Sequence, residues 1–314
     1  MHRVHYEFHS IVNYSLAHRP NIRTINQTII SSTACEVSLS LSTMADVSFT
    51  EVANLPYKKP TKSFSYGDEP MQTAEYWTAE ATPTASTATT LLVLLIHGGC
   101  WLNDYDKSHV RPLAAALVER GLAVMSIEYR RTGDPGAGWP GTFDDLRAAL
   151  NAAVKLKHSA IIAVGHSAGG HLALWLAAVS GTQLKGVVGL AAISDLVLYA
   201  KGTSECEKAT LQLMGGTPEL HPNRYQTASP LLMTSNVPIL LIHGSHDQVV
   251  NVQQSEQFAN RPNNLLAKPS TDMLTKKQPT ASLHVLEGRG HYDLIDPRQE
   301  VPDIIADQAR LWFK

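Results

Sequence analysis

A serine flanked by glycines constrains this chain more than any other feature. Residues 165–170 read GHSAGG; they directly follow the apolar run 160–164 and precede an apolar stretch at 171–178. The pattern predicts a strand, a tight turn that presents Ser167, and a helix. The glycines let the strand and the helix pack closely around a serine whose backbone is strained. We therefore expect the serine oxygen to be exposed at the C-terminal edge of the strand.

The context of this turn indicates what the serine does. Upstream, the apolar run 91–96 ends in HGGCW at 97–101, which has the form of an oxyanion-hole loop. Downstream, one apolar run leads to Asp247 and the next leads to His291. The order Ser167, Asp247, His291 is the one that this type of serine turn requires. The pattern predicts a catalytic triad.

Each member of this predicted triad has a chemical role. A serine hydroxyl is a weak nucleophile at neutral pH and needs an imidazole to take its proton. His291 lies in a glycine-rich loop after a strand and is the candidate base. Asp247 is the candidate acid, which would accept a hydrogen bond from the ring nitrogen of His291 that faces away from Ser167.

Other roles remain open for these positions. Asp247 could instead cap a helix that starts at Asn251. Asp195 follows the strand expected at 186–192 and is the rival acid. His246 is the rival base, although a side chain adjacent to Asp247 in sequence cannot easily both face it and reach the serine.

Backbone N–H groups that point at the developing oxyanion typically contribute about 3 kcal/mol each. The candidate donors are Gly99, Cys100 and Ala168. Cys100 stands where this loop often has a third glycine, which keeps the amide but adds a side chain. We interpret that side chain as a small buried group rather than a reactive thiol.

The other histidines need a separate interpretation, because the chain contains 14 of them. His97 and His243 end apolar strands, and we expect both to be structural, bonded to loop backbone. His166 and His171 are candidates to line the pocket without acting in catalysis. No histidine pair has the spacing of a metal site, so neither a metal nor another cofactor is expected.

The rest of the chain predicts an α/β fold, a mostly parallel sheet with helices on both faces, since apolar runs alternate with helical patterns. Expected strands are 91–96, 122–128, 160–165, 186–192, 238–243 and 282–287, preceded by an antiparallel hairpin at 62–66 and 75–80. Expected helices are 107–120, 143–157, 168–180, 251–260 and 302–313. Thr142 and Asp145 form a capping-box pattern for the second of these helices.

One domain with tails fits the 314 residues better than two domains. We expect an N-terminal extension without stable structure at 1–61 and the α/β domain at 62–314. A cap insertion is expected at about 195–236, and 81–90 and 261–280 are expected to be loops.

The first 43 residues permit three interpretations: a mitochondrial transit peptide, a disordered extension, or a start site set too early, with Met44 as the true beginning. Their removal is expected to leave activity intact. The 3 cysteines, at positions 35, 100 and 206, suggest neither a disulfide framework nor a metal site, which favours a reducing compartment. The expected location is cytoplasmic, with the mitochondrion left open.

Charge and hydropathy limit the partners. The chain carries 26 basic and 28 acidic residues, so nothing in its charge favours nucleic acid or an anionic membrane. Its apolar runs are too short for a membrane-spanning helix. The expected partner is a small, nearly neutral molecule; a homodimer is left open.

The motifs resemble those of the α/β-hydrolase superfamily over residues 62–314. Within it, the segments at 97–101, 128–130, 139–142 and 165–170 are similar to the branch of kynurenine formamidases and related small-substrate esterases. The resemblance implies the same nucleophile, acid, base and oxyanion donors as those assigned above. It also implies a serine hydrolase without a cofactor.

Two substrate classes follow from this resemblance. An arylformamidase would hydrolyse the formamide of N-formyl-kynurenine, with Trp101, Trp139 and Tyr292 as aromatic walls, or these rings could simply pack in the core. A carboxylesterase would cleave short-chain or aromatic esters through the same acyl-enzyme. A peptidase and a non-catalytic binding protein are weaker alternatives.

Overall fold

The computed structural model describes residues 46–79, 90–235, 237–261 and 281–313. The strands are β1 (Lys62–Ser65), β2 (Thr73–Trp77), β3 (Leu91–Ile96), β4 (Ala123–Ile127), β5 (Ala160–His166), β6 (Gly186–Leu190), β7 (Ile239–Gly244) and β8 (Ala281–Leu286). The helices are α1 (Phe49–Ala53), α2 (Arg111–Glu119), α3 (Gly141–Lys155), α4 (Ala168–Val179), α5 (Leu196–Tyr199), α6 (Glu205–Met214), α7 (Pro222–Ala228), α8 (Gln253–Ala259) and α9 (Val301–Phe313).

In the described residues these strands form one sheet of eight strands in the order β1-β2-β4-β3-β5-β6-β7-β8. The pairs β1–β2 and β2–β4 are antiparallel, and every later pair is parallel. The carboxyl ends of the parallel strands therefore meet along one edge, where ligands of such sheets bind.

Strands β3 to β7 are apolar almost throughout because helices cover the sheet on both faces. Along β3, Leu92, Leu94 and Ile96 belong to the core under α3 and α4. Val93 and Leu95 belong to the opposite core under α2 and α9. The predicted fold class, a mostly parallel sheet with helices on both faces, is confirmed.

Local details at two helix starts differ from the prediction. The helix expected at 107–120 begins with a 3-10 turn, Lys107–Val110, before α2. The capping box predicted from Thr142 and Asp145 is wrong, since α3 already begins at Gly141. The Thr142 hydroxyl donates to the carbonyl of Arg130, and the Asp145 carboxylate accepts from the Arg130 guanidinium, so both side chains fasten a neighbouring loop.

The insertion after β6, in the range expected for a cap, contains helices α5, α6 and α7, and we refer to these three helices as the cap. Helix α6 begins with a capping box in which Ser204 and Glu207 bond each other's backbone N–H groups. The loops expected at 81–90 and 261–280 lie outside the described residues, except for Thr90 and the buried Arg261.

The N-terminal part is more ordered than predicted. Residues 46–61 are described and include α1, with Val52 fully buried in the core. The expectation that all of 1–61 lacks structure is therefore corrected for this segment, because α1 has an apolar side chain to bury. Residues 1–45 lie outside the described residues. None of the described helices is long and apolar enough to cross a membrane.

Candidate active site

Ser167 lies in the turn between β5 and α4, at the carboxyl edge of the sheet. Its backbone has φ 56° and ψ −118°, a strained conformation for a residue with a side chain. The neighbouring glycines permit this turn: a Cβ at Gly165 would collide with the carbonyl oxygen of Gly169, and one at Gly169 would collide with the carbonyl of His97. The Ser167 N–H donates to the carbonyl of Leu190 over 2.8 Å, which ties the turn to β6.

Asp247 and His291 follow β7 and β8 and meet side chain to side chain. Nδ1 of His291 lies 2.7 Å from Oδ2 of Asp247. The other carboxylate oxygen, Oδ1, accepts from the N–H groups of Val249 and Val250, each over 2.8 Å. Asp247 therefore fastens its own turn and also holds the imidazole.

The pKa of Asp247 reflects opposing effects. Burial acts to raise the pKa, but hydrogen bonds from His243 and His291 and the charge of His291 outweigh it and hold the pKa well below its ordinary value. Asp247 is therefore ionised near neutral pH and can only accept hydrogen bonds.

Asp195, the rival acid, and His246, the rival base, have different surroundings. The Asp195 carboxylate caps α5 by accepting from the N–H groups of Val197 and Leu198. His246 is exposed. His291, in contrast, is hydrogen-bonded to Asp247 and lines the same cavity as Ser167.

Two histidines expected to be structural have buried partners. Nε2 of His97 lies 2.7 Å from Oε1 of Glu128, and Nδ1 of the same ring lies 2.8 Å from the carbonyl oxygen of Gly98. His243 bonds the Ser255 hydroxyl and the carbonyl of Val250, and its Nε2 lies 3.4 Å from Asp247. His243 therefore supports the loop that carries Asp247.

A cavity of about 70 Å³ joins the serine to the histidine. The predicted residues that line it are Gly99, Cys100, His166, Ser167, His291 and Tyr292. Sequence reasoning missed five further lining residues, which are Phe49, Tyr105, His109, Cys206 and Val249. A groove of about 550 Å³ lies beside it, between the cap and the loop after β7, and shares Val249 with the cavity.

The loop after β3 has an unusual backbone. Gly99, Cys100 and Trp101 have φ of 98°, 54° and 57°, three consecutive residues in the left-handed region. The turn is closed by a hydrogen bond from the N–H of Leu102 to the carbonyl of Gly99, and the N–H of Thr132 donates to the carbonyl of Trp101. Gly99 and Cys100 of this loop line the cavity, and backbone strain of this kind is typical of functional sites.

Ala168, the third predicted oxyanion donor, is the first residue of α4. The first N–H groups of a helix have no carbonyl partner within that helix and carry its positive end. Ala168 is next to Ser167 but is not among the residues that line the cavity, and its role as an oxyanion donor stays a prediction.

Cys100 and Cys206 form a disulfide, with their Cα atoms 4.8 Å apart and 106 residues apart in sequence. This corrects the expectation of unpaired cysteines. The spacing gave no signal because the pair forms only when the cap places the start of α6 over the loop after β3. Cysteine usage therefore no longer argues for a reducing compartment, and the cytoplasmic location stays a prediction without that support.

The three predicted aromatic walls lie in different places. Trp101 is fully buried, with its ring edge-on to His171 and Tyr199 beneath the cap. Trp139 packs edge-on to Phe143, 4.8 Å between ring centres. Neither belongs to the residues that line the cavity, so the expectation is corrected for both; Tyr292 does line it.

His166 and His171, both candidates to line the pocket, have different surroundings. His166 lines the cavity, and its Nε2 donates to the carbonyl of His291 over 3.1 Å. Burial and the charge of His291 hold the pKa of His166 well below its ordinary value. His171 instead is buried and bonds the carbonyl of Ala228. No group of three or more metal-binding side chains occurs among the described residues.

The BD-FAE family model matches residues 81–261, more than half of the chain. The chain belongs to the BD-FAE family. Among curated proteins it is similar to Esterase LipC of Mycobacterium tuberculosis, 28% identical over 222 residues that cover 62% of this chain and 53% of LipC. It is also similar to the probable carboxylic ester hydrolase LipM of the same organism, 27% identical over 207 residues, 58% of this chain and 47% of LipM. The chain spans about half the length of these relatives.

Solved structures with the same fold include a truncated carbohydrate esterase from gut microbiota. It has a TM-score of 0.64 and 20% identity, over 82% of this chain and 99% of that one. Esterase B from Lactobacillus rhamnosis has a TM-score of 0.62 and 18% identity, over 82% of this chain and 87% of that one. At these identities the likeness shows the fold alone, which is the α/β-hydrolase fold.

Proposed function

We propose that this protein is a serine hydrolase that cleaves small carboxylic esters through an acyl-enzyme. The observation that carries the proposal is the strained turn of Ser167, which opens into the same cavity as His291, whose ring is hydrogen-bonded to Asp247. The similarity to LipC and LipM supports ester hydrolysis as the reaction class.

In this mechanism the Ser167 oxygen attacks the ester carbonyl while Nε2 of His291 takes the hydroxyl proton. Asp247 stabilises the imidazolium and keeps its orientation. The carbonyl oxygen becomes negative and accepts hydrogen bonds from the backbone N–H groups of Gly99, Cys100 and Ala168. His291 then gives its proton to the departing alcohol, and a water molecule releases the acid by the same route.

The size of the cavity favours a small acyl group. One water needs about 10–15 Å³ of such space, so the cavity of about 70 Å³ accommodates roughly five water-sized groups. An acetyl group fits within this space, whereas a long chain does not. The alcohol part has room in the adjacent groove.

A formamide is the second candidate substrate, because a formyl group is smaller still and fits the same cavity. Trp101 and Trp139 lie outside the cavity wall, so they give less support than expected for binding the aromatic ring of N-formyl-kynurenine. We therefore place the ester first and arylformamidase activity, the kynurenine formamidase branch, second.

One assay panel tests both candidates. Purified protein and the Ser167→Ala variant are given p-nitrophenyl acetate and N-formyl-kynurenine, and kcat/KM is measured for each, with circular dichroism as a check of folding. We expect ester hydrolysis that the variant lacks. Preference for the formamide would establish the second candidate, and equal activity of the folded variant would refute the proposal.

A further inference from the structure

Helix α1 contributes a wall to the catalytic cavity although it precedes the segment that the family model matches, residues 81–261. Its first residue, Phe49, lines the cavity. The Phe49 ring is edge-on to Tyr105, with 5.5 Å between ring centres, and 5.6 Å from the ring of Tyr292. It also lies 5.3 Å from the ring of His109.

Several contacts hold helix α1, which carries the Phe49 ring, in place. The Ser48 hydroxyl caps α1 by accepting from the N–H of Glu51, and Val52 is fully buried in the core. The N–H of Val47 donates to the carboxylate of Asp293 over 3.3 Å, which joins α1 to the loop after His291. Phe49 is therefore presented by an ordered segment rather than by a free tail.

Two parts of the cavity wall differ. Phe49, Tyr105 and Tyr292 line it with aromatic rings, and the Phe49 ring contacts both tyrosines. Val249 lines both the cavity and the groove of about 550 Å³. A departing alcohol needs an open path, and the water that replaces it enters by the same path while the acyl group stays on the serine. The groove beside Val249 therefore suits the alcohol, and the part of the cavity lined by Phe49 is left for the acyl group.

We propose that Phe49 determines acyl-chain length by occupying space in the cavity that a longer acyl chain would need, so that esters of short aliphatic acids are the substrates. This inference rests on the proposed ester hydrolysis at Ser167. Pocket walls of this kind discriminate by roughly 10–200-fold per methylene group.

The test compares Phe49→Ala with the unaltered protein on p-nitrophenyl acetate, butyrate and octanoate. We expect the ratio of kcat/KM for octanoate to that for acetate to rise by at least about tenfold. Phe49→Leu, a smaller change that keeps an apolar side chain on α1, should raise the ratio less. It also provides the test if Phe49→Ala fails to fold.

The matched control is Tyr57→Ala, which removes another aromatic ring from the same N-terminal segment. Tyr57 is 38% exposed, contacts Arg111 and does not line the cavity. Its ratio should equal that of the unaltered protein. An unchanged ratio in both Phe49 variants, an equal rise in Tyr57→Ala, or an unaltered protein that already prefers octanoate would overturn the inference alone. Absence of Ser167-dependent hydrolysis of every ester would overturn the proposed function, and the inference with it.

Discussion

Nδ1 of His291 donates a hydrogen bond to Oδ2 of Asp247 over 2.7 Å. Because Asp247 is ionised near neutral pH, its oxygen can only accept, so the ring proton lies on Nδ1. Nε2 is then the nitrogen without a proton in the neutral ring. This is the tautomer that a general base beside Ser167 needs.

Replacing Asp247 with Asn should disable this tautomer while keeping the shape of the side chain. We expect kcat for ester hydrolysis to fall by about 10³–10⁴-fold, because the amide can donate to Nδ1 and shift the ring proton to Nε2. Asp195→Asn is the matched control, since asparagine caps a helix as well as aspartate does. If Asp195→Asn were instead the damaging change, the acid would be wrongly assigned.

The disulfide between Cys100 and Cys206 should contribute to stability, because it closes a loop across 106 residues of sequence. Cys206→Ala is expected to lower the free energy of unfolding by about 2–5 kcal/mol in urea titrations. Dithiothreitol should lower the free energy of unfolding of the unaltered protein by a similar amount and leave that of the variant unchanged. Equal stability of the oxidised and reduced protein would contradict this account.

Three buried histidines should make stability fall in mild acid. Burial lowers the pKa of His109 to about 3 and of His171 to about 4, and that of His166 well below its usual range. The unfolded chain binds protons at these rings near pH 6.5, and the folded chain does not. The stabilising effect is therefore complete above pH 6.5 and is lost as the pH falls below it, by about 1 kcal/mol per histidine between pH 7.5 and 5.5.

Urea unfolding at pH 7.5 and 5.5 measures this loss. His171→Gln removes one titrating ring, while the glutamine amide can still donate to the carbonyl of Ala228. The fall in the free energy of unfolding between pH 7.5 and 5.5 should therefore be smaller by the contribution of one histidine. A free energy of unfolding that stays constant between the two pH values would contradict this expectation, because it would mean that the folded and unfolded chains bind equal numbers of protons.

Much of the fold was predictable because its signals are local. The apolar run that forms β3 and the glycines around Ser167 specify their structure within a few residues of sequence. The order of the serine, aspartate and histidine along the chain also pointed to the cluster that the fold brings together.

The remaining features depend on contacts between distant segments. Cys100 meets Cys206 only because the cap folds over the sheet edge, and Phe49 reaches the cavity only because Val52 anchors α1 in the core. The position of Trp101 in the predicted oxyanion loop favours a role as a pocket wall. In the structure the loop has a left-handed backbone at Trp101, and the ring is buried beneath the cap. No spacing rule in one sequence reports such contacts.

Covalent labelling decides whether Ser167 is the nucleophile. A fluorophosphonate, which transfers its phosphonyl group to an activated serine and releases fluoride, is incubated with the protein, and the mass of the intact chain and its peptides is measured. We expect a single adduct on Ser167, strong slowing of its formation in His291→Ala, and no adduct in the folded Ser167→Ala variant. An adduct that forms equally in Ser167→Ala, or that lies on another residue, would contradict it.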